Sequence, residues 1–197
     1  MNLHTNAVAR SPSTQTARVI VASDRAPISA GGEWLRFASS VGTADAIYRN
    51  LAVVHARAPT RVLVRASDDA VDIDYESLIA AHRAHSLGAT VGCVEVPIGI
   101  AQRFTVLGVD ASGRVVRSAD QPRWPQPLPH DPARALISAD VYVFDFEPLV
   151  DCLSVDVADD GSSHDLARDV LPLLVRAGGV VAHVLRDADV VSRYVPR

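Results

Sequence analysis

Short valine-rich runs separated by polar stretches bearing glycine and proline set the rhythm of this chain. Arg18–Ser23 (RVIVAS), Arg61–Arg65 (RVLVR), Thr90–Val96 (TVGCVEV), Ser138–Phe144 (SADVYVF) and Val180–Leu185 have the length and β-branched content of buried strands. Phe104–Asp110 and Arg114–Ser118, joined across Ala111–Gly113, predict a hairpin. Between the strands the period changes. Ala44–Arg57 places Ile47, Leu51 and Val54 at i, i+4 and i+7, which predicts one helix ended by Pro59. Tyr75–Leu87 carries Tyr75, Leu78, Ile79 and His82 on one face, with Gly88 as its stop. Glu147–Leu153 predicts a short helix. Ser162 and Ser163 open another that runs to Arg176, with Leu166, Val170, Leu173 and Leu174 inward and Asp165 as a first-turn acid. The alternation predicts βαβ units, a largely parallel sheet and the α/β fold class. The expected domain spans residues 18–197, after a disordered lead-in over 1–17.

Composition narrows this picture. Hydrophobic residues make up 48% of the 197 and aromatic ones 5%, so the core must be built from Val, Leu, Ala and Ile. No run approaches the roughly 20 apolar residues that span a bilayer, and the amino terminus has no signal-like apolar region, so no membrane is expected and the expected location is cytoplasmic. A formal charge of −4 argues against a nucleic-acid surface. Cys93 and Cys152 have no zinc-like spacing and are read as reduced and structural. All 19 basic residues are arginine, which removes lysine as a phosphate-binding point charge. Trp34 is undecided between burial and exposure.

Candidate chemistry is sparse. RVLVRASDDAVDIDY, Arg61–Tyr75, drops from a strand into Asp68, Asp69, Asp72 and Asp74, at the end of a strand where α/β folds place ligands. Turn residues for Asp68 and Asp69, and a helix cap for Asp74, are the competing reading. His82 and His85 lie one helical turn apart, but a catalytic zinc needs a third ligand that the sequence does not supply. Neither a Walker phosphate loop, nor G-x-G-x-x-G after a strand, nor G-x-S-x-G occurs. Ser163–His164–Asp165 is contiguous and so cannot converge as a triad. The proline-dense stretch Gln121–Pro132 is read as an ordered loop.

The order of blocks is more telling than any one of them. Val41–Tyr48 (VGTADAIY), Asp74–Tyr75, Thr90–Pro97 (TVGCVEVP), Leu107–Asp110, Pro127–Pro132 (PLPHDP), Ser138–Phe144 and Ser162–Pro172 (SSHDLARDVLP) are collinear. Together they resemble the ADP-glucose pyrophosphorylase (glucose-1-phosphate adenylyltransferase) family of bacterial sugar nucleotidyltransferases. That resemblance implies a Rossmann-like, three-layer nucleotide-diphospho-sugar transferase fold with a mixed, mostly parallel sheet. It implies ATP and glucose 1-phosphate as ligands, Mg²⁺ as cofactor, and ADP-glucose and pyrophosphate as products, at the committed step of glycogen synthesis.

Carried over residue by residue, the resemblance makes Asp68 the catalytic and metal-binding carboxylate and assigns Thr105, Asp120, Gln121 and Ser138 to the sugar phosphate. Several of these positions depart from the family pattern. Gln121 stands in place of a phosphate-binding lysine, and a neutral hydrogen bond is roughly half as strong as a charge-assisted one. Thr105 adds a β-branched side chain where the family has glycine. The glycine-rich phosphate loop with the first βα unit, a second metal aspartate and a carboxyl-terminal β-helix have no counterpart in the resemblance, and Gly31–Gly32 does not replace the loop. The expectation is therefore a catalytically impaired relative. The alternatives are a non-catalytic partner, as homo- or hetero-oligomer, of a full-length paralogue, and a gene remnant.

Overall fold

A computed structural model describes residues 15–22, 34–39, 41–66, 73–85, 87–186 and 188–195. The strands are β1 (Gln15–Ala22), β2 (Leu35–Ser39), β3 (Arg61–Arg65), β4 (Ala89–Pro97), β5 (Thr105–Val109), β6 (Val115–Asp120), β7 (Arg134–Asp145) and β8 (Val180–Val184). They form one open sheet of order β2-β1-β3-β7-β4-β8, with β5 attached to β7 and β6 to β5. The helices are α1 (Thr43–Tyr48), α2 (Leu51–His55), α3 (Tyr75–Ala84), α4 (Ile98–Ala101), α5 (Phe146–Val157), α6 (Leu171–Arg176) and α7 (Ala188–Tyr194). A π-helical turn, Leu166–Val170, leads into α6.

Strand alternation sorts the core into two faces. Val62, Val64, Val91, Cys93, Tyr142 and Phe144 pack with Ile47, Leu149, Leu153, Leu166 and Leu171 on one side. Leu63, Val94, Val96, Ile137, Val141 and Val143 pack with Leu78, Ile79, Ala101 and Val190 on the other. Helices thus cover both faces, and the three-layer, Rossmann-like α/β expectation holds. The mostly parallel sheet does not: the β4–β8 pairing is parallel, whereas every other pairing of named strands is antiparallel. The reason is β7. It runs between β3 and β4, antiparallel to each, so the β3–α3–β4 unit has the direction a crossover predicts but not the adjacency.

Local differences have local causes. The expected Ala44–Arg57 helix is two helices broken at Arg49–Asn50, where the Asn50 side-chain amide donates to the Ala46 carbonyl at 2.8 Å. The cap of the late helix is Asp165 rather than Ser162 or Ser163; its Oδ1 accepts from the N–H groups of Ala167 and Arg168 at 3.0 Å. Ser162 and Ser163 instead donate to Asp156 and Asp169. Strand β1 begins at Gln15 rather than Arg18. Trp34 is half-buried, edge-on to Tyr75 at 5.5 Å. Helix α7 was not among the expected elements, although Val190, Val191, Tyr194 and Val195 fall at helical spacing and pack on one side. No helix of the described residues is long and apolar enough to cross a membrane.

Along one edge of β7 two strands share the pairing. Strand β3 pairs with Val141–Asp145, and β5 with Leu136 and Ile137. Between them Ala139 and Asp140 have no register partner on β4, because Gly92 faces Val141 and Cys93 faces Ser138. This is a bulge, and it opens the sheet where β3 ends and β5 begins.

Candidate functional site

A cavity of about 170 Å³ occupies that opening, lined by Ala66, Arg103, Phe104, Thr105, Asp120, Gln121, Ser138, Asp140, Asp165 and Ala167. Thr105, Asp120, Gln121 and Ser138, the four sugar-phosphate positions taken from the sequence, are all in its wall. Asp68 lies outside the described residues, two positions after Ala66; Asp69, Asp72 and Gly31–Gly32 are likewise outside them. The His82–His85 pair plays no part. His82 is buried, with Nδ1 3.1 Å from Thr90 Oγ1 and Nε2 3.4 Å from Asp145, while His85 is exposed.

Each wall residue is held by its neighbours. Thr105, at the start of β5, donates its hydroxyl to Asp120 Oδ1 at 3.0 Å, which ties the two ends of the hairpin together. Gln121 follows in a turn with φ 42°, its N–H donating to the Phe104 carbonyl at 3.1 Å. Buried Ser138 accepts from the Asp140 N–H at 3.1 Å, and its hydroxyl lies 3.1 Å from that of Tyr142.

Sequence reasoning missed Asp140, and its geometry is the most distinctive in the site. The bulge gives it a φ of 54°, its carbonyl accepts from the Ala66 N–H at 2.8 Å, and its Oδ1 accepts from the Tyr142 hydroxyl at 3.2 Å. Burial, reinforced by the nearby carboxylates of Asp165 and Asp120, pushes its acid up to about 6. Burial and the same Asp140 charge push the Tyr142 phenol well above its usual range. A signal was there: Asp140 is the one charged side chain in the run Ala135–Phe144, where an in-register strand would bury it.

Asp165 reaches the cavity through a joint between distant parts of the chain. Thr43 Oγ1 donates to Asp165 Oδ2 at 3.2 Å and accepts from the Leu166 N–H at 2.9 Å. The His164 carbonyl accepts from the N–H groups of Ala44 at 2.8 Å and Asp45 at 3.3 Å, the first turn of α1. His164 Nδ1 itself lies 2.9 Å from Asp156 Oδ2, so this histidine fastens a loop and does not belong to a triad. Asp45 is buried; burial pushes its acid up, but hydrogen bonds from Arg49 and Ser39 outweigh that and hold it below the usual range. The VGTADAIY block is thus the joint that seats Asp165.

Among the described residues, non-glycine positions with left-handed φ concentrate here. Of Ala58, Gln121, Asp140 and His164, two line the cavity and a third adjoins Asp165. Such backbone costs of order 1–3 kcal/mol per residue and gathers at functional sites. Three carboxylates, three amide or hydroxyl side chains and the exposed Arg103 make a wall suited to a polyhydroxylated ligand, whose hydroxyls donate to the carboxylates. Among the described residues no group of three or more His, Cys, Asp or Glu side chains is arranged to hold a metal ion. A phosphate-bridging Mg²⁺ needs only one or two carboxylates, so the described residues neither supply a closed metal cage nor require one.

The family model described as Nucleotidyl transferase matches residues 16–190. The chain is 40% identical over 149 residues to the glucose-1-phosphate adenylyltransferase of Paramagnetospirillum magneticum, an alignment covering 76% of this chain and 35% of that protein. It is 40% identical over 142 residues to the protein of that name from Albidiferax ferrireducens, covering 72% and 34%. It is 37% identical over 153 residues to glucose-1-phosphate adenylyltransferase 2 of Vibrio vulnificus, covering 78% and 37%. The chain spans about a third of the length of the curated relatives it matches.

Proposed function

We propose, for a chain that belongs to the nucleotidyl transferase family, that the cavity at the β7 bulge binds a hexose 1-phosphate of the kind its relatives' name specifies, and that turnover to ADP-glucose is impaired. The observation that carries this is convergence. Thr105, Asp120, Gln121 and Ser138 come from separated parts of the sequence and meet in one cavity with the left-handed Asp140.

In this reading the carboxylates of Asp120, Asp140 and Asp165 accept from sugar hydroxyls and fix the ring. The Gln121 amide and the Arg103 guanidinium donate to the phosphate. Asp68 is the carboxylate proposed to hold Mg²⁺, which when bound offsets phosphate charge; no further role is assigned to it. The chain's own contribution is orientation, which brings a sugar-phosphate oxygen to the nucleotide's α-phosphorus. Impairment follows from charge. Gln121 offers the phosphate a neutral donor, and electrostatic stabilisation commonly supplies more of the rate enhancement of phosphoryl-type transfer than any other effect.

The test is a coupled pyrophosphate-release assay with ATP, Mg²⁺ and glucose 1-phosphate, run beside a calorimetric titration with glucose 1-phosphate alone and with Asp68→Ala as control. Saturable binding with turnover far below the ~10 s⁻¹ typical of enzymes is expected. Turnover near that rate, abolished by Asp68→Ala, would show that catalysis is intact; absence of binding would remove the proposal.

A further inference from the structure

Tyr194, the last residue of α7, touches two separately held parts of the cavity wall without lining the cavity itself. Its ring stands edge-on to that of Phe104, with centroids 5.5 Å apart and planes at 73°. Its hydroxyl donates to the Ala139 carbonyl at 3.4 Å, long for a hydroxyl donor. Phe104 lines the cavity just before β5, and its carbonyl accepts from the N–H of Gln121. Ala139 lies in the bulge between Ser138 and Asp140, both of which line the cavity.

The sheet does not fix these two parts against each other. Strand β5 pairs with β7 only through Val106 and Leu107, so Phe104 and Thr105 stand beyond the last register pair between those strands. Ala139 and Asp140 have no register partner on β4 and fall between the pairings of β7 with β3 and with β5. Helix α7 offers a firm base for bridging them, because its Val190 is 1% exposed in the core face that holds Ile137 and Val141. Burial, reinforced by the Asp140 charge, pushes the Tyr194 phenol above its usual range, so the hydroxyl stays protonated and able to donate at neutral pH. Docking the helix needs only apolar contact at this position. A hydroxyl on the bulge carbonyl serves the geometry of the bulge instead.

We infer that Tyr194 is a positioning residue for this cavity, acting through Phe104 and Ala139 to hold the wall that carries Thr105 and Gln121 at a fixed distance from the bulge that carries Ser138 and Asp140. The inference rests on the reading of the cavity as a sugar-phosphate site. A ligand gripped by polar groups from two segments binds more weakly when the segments drift, because ordering them on binding then costs entropy.

The experiment is calorimetric titration of the full chain with glucose 1-phosphate for wild type, Tyr194→Phe, Tyr194→Leu and Ile79→Val, with a urea melt of each. Amide exchange by NMR is followed at Ala66 and Gln121, whose N–H groups bond the carbonyls of Asp140 and Phe104. Ile79 is buried on the same core face and does not line the cavity, so its truncation lowers stability by about as much as one lost hydrogen bond while leaving both contacts of Tyr194 in place. Tyr194→Phe keeps the ring and loses the hydroxyl, and is expected to bind about threefold to tenfold more weakly. Tyr194→Leu loses both contacts and is expected to bind about twentyfold more weakly or worse. Ile79→Val is expected to bind within about twofold of wild type, as a distant and independent site should. Wild-type affinity in Tyr194→Phe overturns the inference and leaves the sugar-phosphate reading standing. So does an equal loss in Ile79→Val, which would make the effect one of stability alone. Wild type that fails to bind glucose 1-phosphate removes the sugar-phosphate reading, and exchange then decides the bracing by itself. Faster exchange at Ala66 and Gln121 in Tyr194→Leu, but not in Ile79→Val, supports it, and unchanged exchange overturns it.

Discussion

Replacing Gly42 by alanine probes the link between fold and site at its narrowest point. Gly42 has an ordinary extended φ of −165°, so the requirement for glycine is one of space rather than conformation. A Cβ there would stand 2.0 Å from the His164 carbonyl oxygen, 2.4 Å from its carbon and 2.6 Å from the Ser163 oxygen. All three are backbone atoms, so no side-chain rotation relieves the clash. The 163–165 segment has to move off α1, which breaks the bonds from the Ala44 and Asp45 N–H groups to His164. Overpacking costs ~1–3 kcal/mol and each lost bond ~1 kcal/mol. A combined destabilisation of ~3 kcal/mol corresponds to a fall in Tm of ~6–12 °C for a chain of this size. Circular dichroism melts and urea titrations of Gly42→Ala measure it. Gly99→Ala is the control, because a Cβ there meets nothing within 4 Å. Because Asp165 moves with the segment, glucose 1-phosphate should also bind more weakly. A Gly42→Ala melt within ~2 °C of wild type would refute the claim that this joint is rigid.

Asp140 carries a stability cost that its removal should expose. Its acid is raised from 3.8 to about 6, so the folded chain binds more protons than the unfolded one between those values, and stability falls as pH rises through that window. Asp140→Asn should therefore gain ~1–3 kcal/mol at pH 7.5 and little at pH 4, read from urea midpoints. His82 and His183 run the other way: burial lowers both, so their contribution is present above 6.5 and is lost as pH falls. His82→Leu should flatten the decline in Tm below pH 6.5. Burial raises the acids of both thiols, completely burying Cys93 and half-burying Cys152, so native protein should react slowly with a disulfide reagent and urea-unfolded protein should release two thiols at once.

What the sequence revealed, and what it hid, follow from the range of the forces involved. Strand positions were legible because β-branched runs such as Val62–Val64 report burial on both faces locally. Strand order was not, because the insertion of β7 between β3 and β4 depends on pairing across some 80 residues, of which local periodicity carries no trace. The break at Arg49–Asn50 was invisible for a similar reason. Ile47, Leu51 and Val54 keep helical spacing through it, and a side-chain bond to the Ala46 carbonyl makes the interruption. The proposed substrate positions were legible only through resemblance to a family; nothing in the residues Thr105, Asp120, Gln121 and Ser138 themselves brings them together. Asp140 and Asp165 contribute to the cavity by a bulge and by a joint to α1, both tertiary features. Asp165 was accordingly read as an ordinary first-turn acid, when it is a cap that also faces the cavity.

The central claim is that the opening at the β7 bulge is a ligand site, and filling it tests that claim most directly. Ala167 lines the cavity from the π-helical turn, so Ala167→Phe should occupy it without touching the Asp165 cap, which uses only the backbone N–H of Ala167. Calorimetric titration of wild type and Ala167→Phe with glucose 1-phosphate, alongside a melt of each protein, is the measurement. The predicted result is saturable binding by the wild type that falls at least tenfold in a variant melting close to it. Equal binding by a properly folded Ala167→Phe would place the ligand elsewhere and contradict the assignment.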